Sequence, residues 1–143
     1  MAKSGAHIPF GVQLQMFAQK TGATLADVDV GFKLSLLERV VRNTRVADPA
    51  TWKRPDPSYL GGTMRGNWQI TSGAPASGPE LPTRNTSLSP DPSEVAKIQP
   101  FSKTFLTNTT SYFPVWNEVD GTIPKAISNA RAALRRAVGR ANR

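Results

Sequence analysis

Thr104-Phe-Leu-Thr-Asn-Thr-Thr-Ser-Tyr-Phe-Pro-Val-Trp-Asn-Glu-Val-Asp-Gly121 divides into three parts with different chemistry. The alternation that leads from Phe101 through Lys103 and Phe105 to Leu106 suits one strand of a half-buried sheet over residues 101–107. Asn108-Thr-Thr then breaks the strand, because small polar side chains that bond to nearby backbone favour turns. Tyr112, Phe113 and Trp116 follow as a dense aromatic block, closed by Glu118 and Gly121. A strand that ends in a polar turn and an aromatic cap needs a sheet partner and a layer to pack on, and both are legible upstream.

The packing layer is the run that Asp27 or Asp29 caps and that reaches about Thr44. Val30, Phe32, Leu34, Leu36, Leu37, Val40 and Val41 form one broad apolar stripe, with Lys33, Glu38, Arg39 and Arg42 on the remainder. About 15 helical residues would span about 22 Å, enough to cover a small sheet. Met64-Arg-Gly-Asn-Trp-Gln-Ile-Thr-Ser72 reads as the partner strand, with Trp68 and Ile70 on one side and Gln69 and Thr71 on the other. A shorter helix is expected over Phe10–Lys20, stopped by Gly22. Thr122 and Pro124 open a C-terminal helix over 123–140, along which Ile123, Ile127, Ala130, Leu134 and Val138 form a narrow apolar line.

Between these elements lie two long proline-rich segments, 46–62 and 73–93, and a loose tail, 1–9. The first carries Trp52 and Tyr59, aromatics that an exposed loop seldom shows unless it meets another surface. Both segments read as extended loops or arms, with a helical turn expected from Ser93. The fold class expected is α+β: one domain over 1–143, a small antiparallel sheet packed by a long helix, with proline-rich arms and a basic C-terminal helix. With 12 prolines, 11 glycines and 38% hydrophobic residues in 143, the core is modest, and arms of this kind often order on a partner.

Charge narrows the partners. The net charge is +8, from 18 basic and 10 acidic residues, and every acid lies at or before Asp120. The last helix is therefore purely basic, with Arg131, Arg135, Arg136 and Arg140 as candidate contacts to DNA or to an acidic partner. The same arginines would also offset the helix dipole. Cysteine is absent, so disulfides, thiolate catalysis and cysteine metal sites are absent with it. No apolar run suits a signal peptide or a membrane span, so a soluble protein is expected.

No catalytic constellation is legible. His7 stands alone in the tail; Gly61-Gly62 and Gly66 lack the spacing and following lysine of a phosphate loop. The acids form no metal-ligand pattern, and the hydroxyl groups have no base to activate them. A non-enzymatic structural or binding protein without cofactor is expected.

Two separated motifs give that expectation a family. Thr44-Arg-Val46, followed after an insertion by Gly62-Thr-Met-Arg-Gly-Asn-Trp68, resembles the Thr-Pro-Val-Asp-Thr-Gly-Arg-x-Arg-x-Asn-Trp segment of the neck, tail-completion or head-tail joining proteins of tailed bacteriophages. Asn108 to Gly121 resembles the Asn-x-x-x-Tyr-x-x-x-x-Glu-x-Gly signature of the same family, with Tyr112, Glu118 and Gly121 at slightly shifted spacing. The order of elements also matches, over residues 10–138. Arg45 replaces the family proline, and the loop bearing Trp52 and Tyr59 replaces a tight turn. The resemblance implies a structural virion subunit that forms a ring, a hexamer, at the head–tail junction. It would be assembled in the bacterial host cytoplasm, bridging the head-tail connector or adaptor to the tail terminator or tail tube and letting DNA pass non-specifically. Arg65, Asn67, Trp68, Asn108, Tyr112, Trp116, Glu118 and Gly121 would then mark the fold and its subunit boundary, with Trp52 and Tyr59 as arm contacts. A tail terminator and a basic nucleic-acid-binding module using the C-terminal arginines are the alternatives.

Overall fold

The computed structural model describes residues 10–22, 24–46, 48, 53–54 and 61–141. Trp52 and Tyr59, residues 1–9 and most of the segment 46–62, for which a tail and an arm were expected, lie outside the described residues. The chain runs α1 (Phe10–Thr21), α2 (Leu25–Asn43), α3 (Thr63–Gly66), β1 (Trp68–Ser72), α4 (Pro92–Val95), β2 (Thr104–Asn108), α5 (Phe113–Asp120) and α6 (Thr122–Ala141). The class is α+β, with a two-stranded antiparallel sheet and a long C-terminal helix.

The long central helix begins earlier than its aspartates suggest. Thr24 is the N-cap: its hydroxyl accepts from the Asp27 N–H at 3.1 Å, and the Asp27 carboxylate accepts from the Thr24 N–H at 2.9 Å. This reciprocal capping box satisfies two donors that the first turn leaves without helical partners. Asp27 is thus the third helical residue, and Asp29 has a different task, an ion pair with Lys33 at 2.8 Å. Asp29 also accepts from the Phe101 N–H, while Lys33 Nζ donates to the carbonyls of Gln99 and Ser102. Together they fasten the turn before β2 onto α2 and hold Phe101 at a left-handed φ of 58° with its ring exposed.

The two strands pair in the register Trp68–Asn108, Ile70–Leu106 and Ser72–Thr104. In an antiparallel pair opposed residues share a face, so Trp68, Ile70, Leu106 and Asn108 face inward. Trp68 and Ile70 are buried, and Leu106 packs on the same cluster. Phe105 therefore lies on the outer face, where Lys103 Nζ sits 5.3 Å from its ring centroid. Leu106, and not Phe105, is the side chain of β2 that packs on the core. The first strand is also shorter than expected: residues 63–66 form a helical turn, and the strand starts at Trp68. The second runs 104–108 rather than 101–107.

Leu37, Val40 and Val41 of α2 meet Met64, Trp68, Ile70, Phe113 and Ala126 in the core. Besides β1, α2 packs chiefly on α6. That contact turns α6 so that Ala126, Ala130 and Val138 are buried, whereas Ile127 is 37% exposed. Of the expected apolar line, Ala130 and Val138 are buried and Ile123 packs on the core, so Ile127 is the member that faces out, and Ala126 is buried in its place.

The aromatic block is a helix. Asn108 Oδ1 accepts from the Thr110 N–H at 3.2 Å and from its hydroxyl at 2.7 Å, closing the turn that launches α5. Gly121, at φ 63°, ends α5 in the left-handed conformation that favours glycine and donates its N–H to Asn117 O at 2.7 Å. Asn117 Oδ1 in turn accepts from the Ile123 N–H at 2.9 Å, fixing the corner into α6. No helix among the described residues is long and apolar enough to cross a membrane.

Candidate functional site

The first motif builds a junction between α2, α3, β1 and the proline-rich segment. Gly62 O accepts from the Gly66 N–H at 2.8 Å, closing the single turn of α3, and from the Asn85 N–H at 3.0 Å. Residues 81–87 therefore lie along the motif as a strap. At Gly66 a Cβ would stand 2.4 Å from Thr83 O and 2.8 Å from Thr83 C. Only glycine admits the strap this closely.

Arg65 is buried, with 8% of its surface exposed. Nε and Nη2 donate to Thr44 O at 3.0 and 2.7 Å, and Nη1 donates to Ser87 O at 2.8 Å and Thr86 O at 3.3 Å. Thr44 is the C-cap of α2, so the guanidinium fills the place where helix carbonyls lack partners and where the macrodipole is negative. That placement explains how a charge is accommodated here without an ion-pair partner among the described residues. Burial pulls the Arg65 pKa down, from a starting value so high that the group stays charged.

Asn67 is fully buried. Its Nδ2 donates to Thr63 O at 2.7 Å and Leu81 O at 3.1 Å, and its Oδ1 accepts from the Leu81 N–H at 2.6 Å and the Thr109 hydroxyl at 3.1 Å. Both donors and both acceptor positions of the amide are thus satisfied. Trp68 Nε1 donates to Thr44 Oγ1 at 2.8 Å, and that hydroxyl donates to Val40 O. The Trp68 ring meets Phe113 edge to face, with centroids 4.9 Å apart and planes at 80°.

The second motif closes on the first. Asn108, opposite Trp68 in the sheet, donates from Nδ2 to Met64 O at 2.7 Å. Tyr112 and Trp116 are half-buried against the same core. Arg45 makes two bonds to Asp120, Nε to Oδ2 at 2.8 Å and Nη2 to Oδ1 at 2.6 Å, while its guanidinium lies 3.9 Å above the Trp116 ring. Arg45 thus clamps the end of α2 to the end of α5. The Arg45 hydrogen bonds hold the Asp120 carboxyl below its usual pKa.

Arg65, Asn67, Trp68 and Asn108 are therefore brought together, Tyr112 and Trp116 border them, and Gly121 sets the α5–α6 corner. Glu118 stands apart, exposed on α5, and Arg131, Arg135, Arg136 and Arg140 are exposed along α6. The segment 73–91 is irregular, as its prolines require, but it is tied to the motif at Leu81, Asn85, Thr86 and Ser87 rather than projecting along its whole length. The sequence reading missed Thr44 as the shared acceptor, Arg45 as a clamp, and Glu94. The Glu94 Oε2 accepts from the Ile70 N–H at 2.7 Å, which covers the open edge of β1. Asp91-Pro-Ser-Glu94, a capping residue with proline behind it, was the local signal for α4.

A cavity of about 210 Å³ lies between α2, Arg65 and the strap, with Glu94 in its wall. Among the described residues no three His, Cys, Asp or Glu side chains are grouped to hold a metal. Arg65, Asn67 and Asn108 hold backbone in place, and the polar atoms of Arg65 and Asn67 are occupied in doing so. No protein-family model, curated protein or solved structure matches the chain significantly.

Proposed function

We propose that the chain is a structural virion subunit of a tailed bacteriophage, a neck or tail-completion protein that forms a ring at the head–tail junction, joins connector to tail and lets DNA pass. One observation carries the reading. The two segments that resemble this family, far apart in sequence, are hydrogen-bonded neighbours through Asn108 and Met64 and paired strands through Trp68 and Asn108. Their buried polar residues act as architecture, which fits a subunit whose work is assembly rather than catalysis. The exposed apolar side chains support the same reading, because Phe101 (72% exposed), Val115 (61%) and Val119 (66%) are the kind of surface that a contact between subunits covers.

The test is the mass of the purified protein in solution, with negative-stain imaging beside its connector and tail tube. A closed ring, alone or on either partner, is the expected result; a chain that stays monomeric and joins neither refutes the reading. The position within the tail, completion protein or terminator, follows from which partner it caps.

A second reading rests on the exposed arginine row of α6, which suits phosphate contacts. It predicts duplex binding whose log–log salt slope shallows by about 0.9 for each arginine removed. No binding at low salt eliminates it.

A further inference from the structure

The outer face of α6 carries a chemical gradient. Ile123, Ile127, Arg131 and Arg135 follow one another at four-residue steps, hence along one ridge, and Arg136 belongs to the neighbouring ridge. Together they line a shallow groove of about 800 Å³. Its first turns are aliphatic and its last are basic, over about 18 Å of helix. Ile127 is 37% exposed, and Arg131 and Arg136 form no ion pair among the described residues.

Helix α5 offers the opposite chemistry. Val115 and Val119 are 61% and 66% exposed one turn apart, and Glu118, three residues after Val115, lies on the same face. Glu118 is exposed and likewise without an ion pair among the described residues. An acid between two aliphatic side chains on one helix complements an arginine one turn beyond an isoleucine on the other.

We propose that these faces are the two halves of one contact between copies of this chain, with Val115 and Val119 of one copy against Ile127 of the next and Glu118 opposite Arg131. The proposal rests on the reading that the protein assembles with itself, and it names the surfaces responsible. Duplex DNA would meet the arginines with phosphates but leaves Ile127, Val115 and Val119 uncovered. Because the two faces differ, each copy offers one to each neighbour, the heterologous arrangement that makes a ring when its rotation closes.

The experiment measures self-association of the full chain by sedimentation across a concentration series. Glu118→Arg and Arg131→Glu each weaken association about tenfold or more, because like charges then face each other. The two reversals in one chain restore it to within about threefold of wild type, as a charge swap across a direct pair must. Circular dichroism checks that each variant is folded, which both exposed positions favour. If the wild type assembles and neither reversal weakens it, or the double reversal fails to restore it, the pairing of these faces is wrong while self-assembly stands. A wild type that stays monomeric throughout overturns this pairing of faces; the reading that the protein assembles falls with it only if the chain also joins neither connector nor tail tube.

Discussion

Replacing Arg65 by methionine tests the junction most directly. The side chain keeps its length and apolar stem, but the guanidinium is lost. Thr86 and Ser87 are exposed, so water can replace the bonds from Nη1 at little cost. Thr44 is 1% exposed, and its carbonyl loses both donors, Nε and Nη2, in a place where water does not readily follow. An unsatisfied buried acceptor costs about 1–3 kcal/mol, and removing a partly buried cation from a helix C-terminus costs up to about 2 kcal/mol more. The expected loss is about 3 kcal/mol, a shift of roughly 10 °C in Tm for a chain of this size. Urea unfolding measures it. Arg84 supplies an independent reading, because it lies on the strap that Arg65 holds at Thr86 and Ser87, and trypsin should cut after it sooner once the strap is released. Arg136→Met, at an exposed position, should stay within about 0.5 kcal/mol of wild type. A loss below about 0.5 kcal/mol for Arg65→Met, with the strap still protected, would refute the C-cap role.

Gly66→Ala places a methyl group 2.4 Å from Thr83 O, so the strap backbone must move; a loss of about 2 kcal/mol or more is expected in the same urea assay. Thr44→Val removes the hydroxyl that accepts from Trp68 Nε1 and leaves the buried indole N–H unpaired, a loss of about 1–3 kcal/mol in the same urea assay. Acid should weaken the fold through Asp29, Asp91 and Asp120, whose pKa values are held below the ordinary aspartate value. Ser93 does this for Asp91 and Arg45 for Asp120; at Asp29 burial opposes ionisation, and Lys33 with the Phe101 N–H outweighs it. A depressed folded pKa means that the stabilisation is present above about pH 4, the unfolded value, and is lost as pH falls through the folded one. The urea midpoint should therefore drop between pH 5 and pH 2, and Asp120→Asn should flatten that drop while lowering stability at pH 7 by no more than about 1 kcal/mol, since the pair is largely solvated.

Features that depend on neighbours along the chain are legible in the residues alone. The apolar period of α2, the proline in the first turn of α6, the turn chemistry of Asn108 and Thr110, and the in–out alternation of Trp68 and Ile70 are all local, and each is where its residues imply. The class, helices around a small antiparallel sheet, follows from those elements together. Boundaries moved where two local signals competed: Thr24 and Asp27 outcapped Asp29, and Gly62 to Gly66 took a helical turn because Asn85 and Thr83 lie against it. Where each side chain finds its partner depends on segments that meet only in the folded chain. A buried arginine is tolerated because the C-terminal carbonyl of a helix from a distant part of the chain meets it, and nothing next to Arg65 in sequence announces Thr44. The rotation of α6, with Ala126 inside and Ile127 outside, was settled by how closely α2 approaches, a distance no periodicity contains. The proline-rich segment looked like an arm because it has no secondary structure of its own. Asn67, Arg65 and Gly62 supply its hydrogen bonds from outside, and backbone satisfied from outside leaves no pattern within the segment itself.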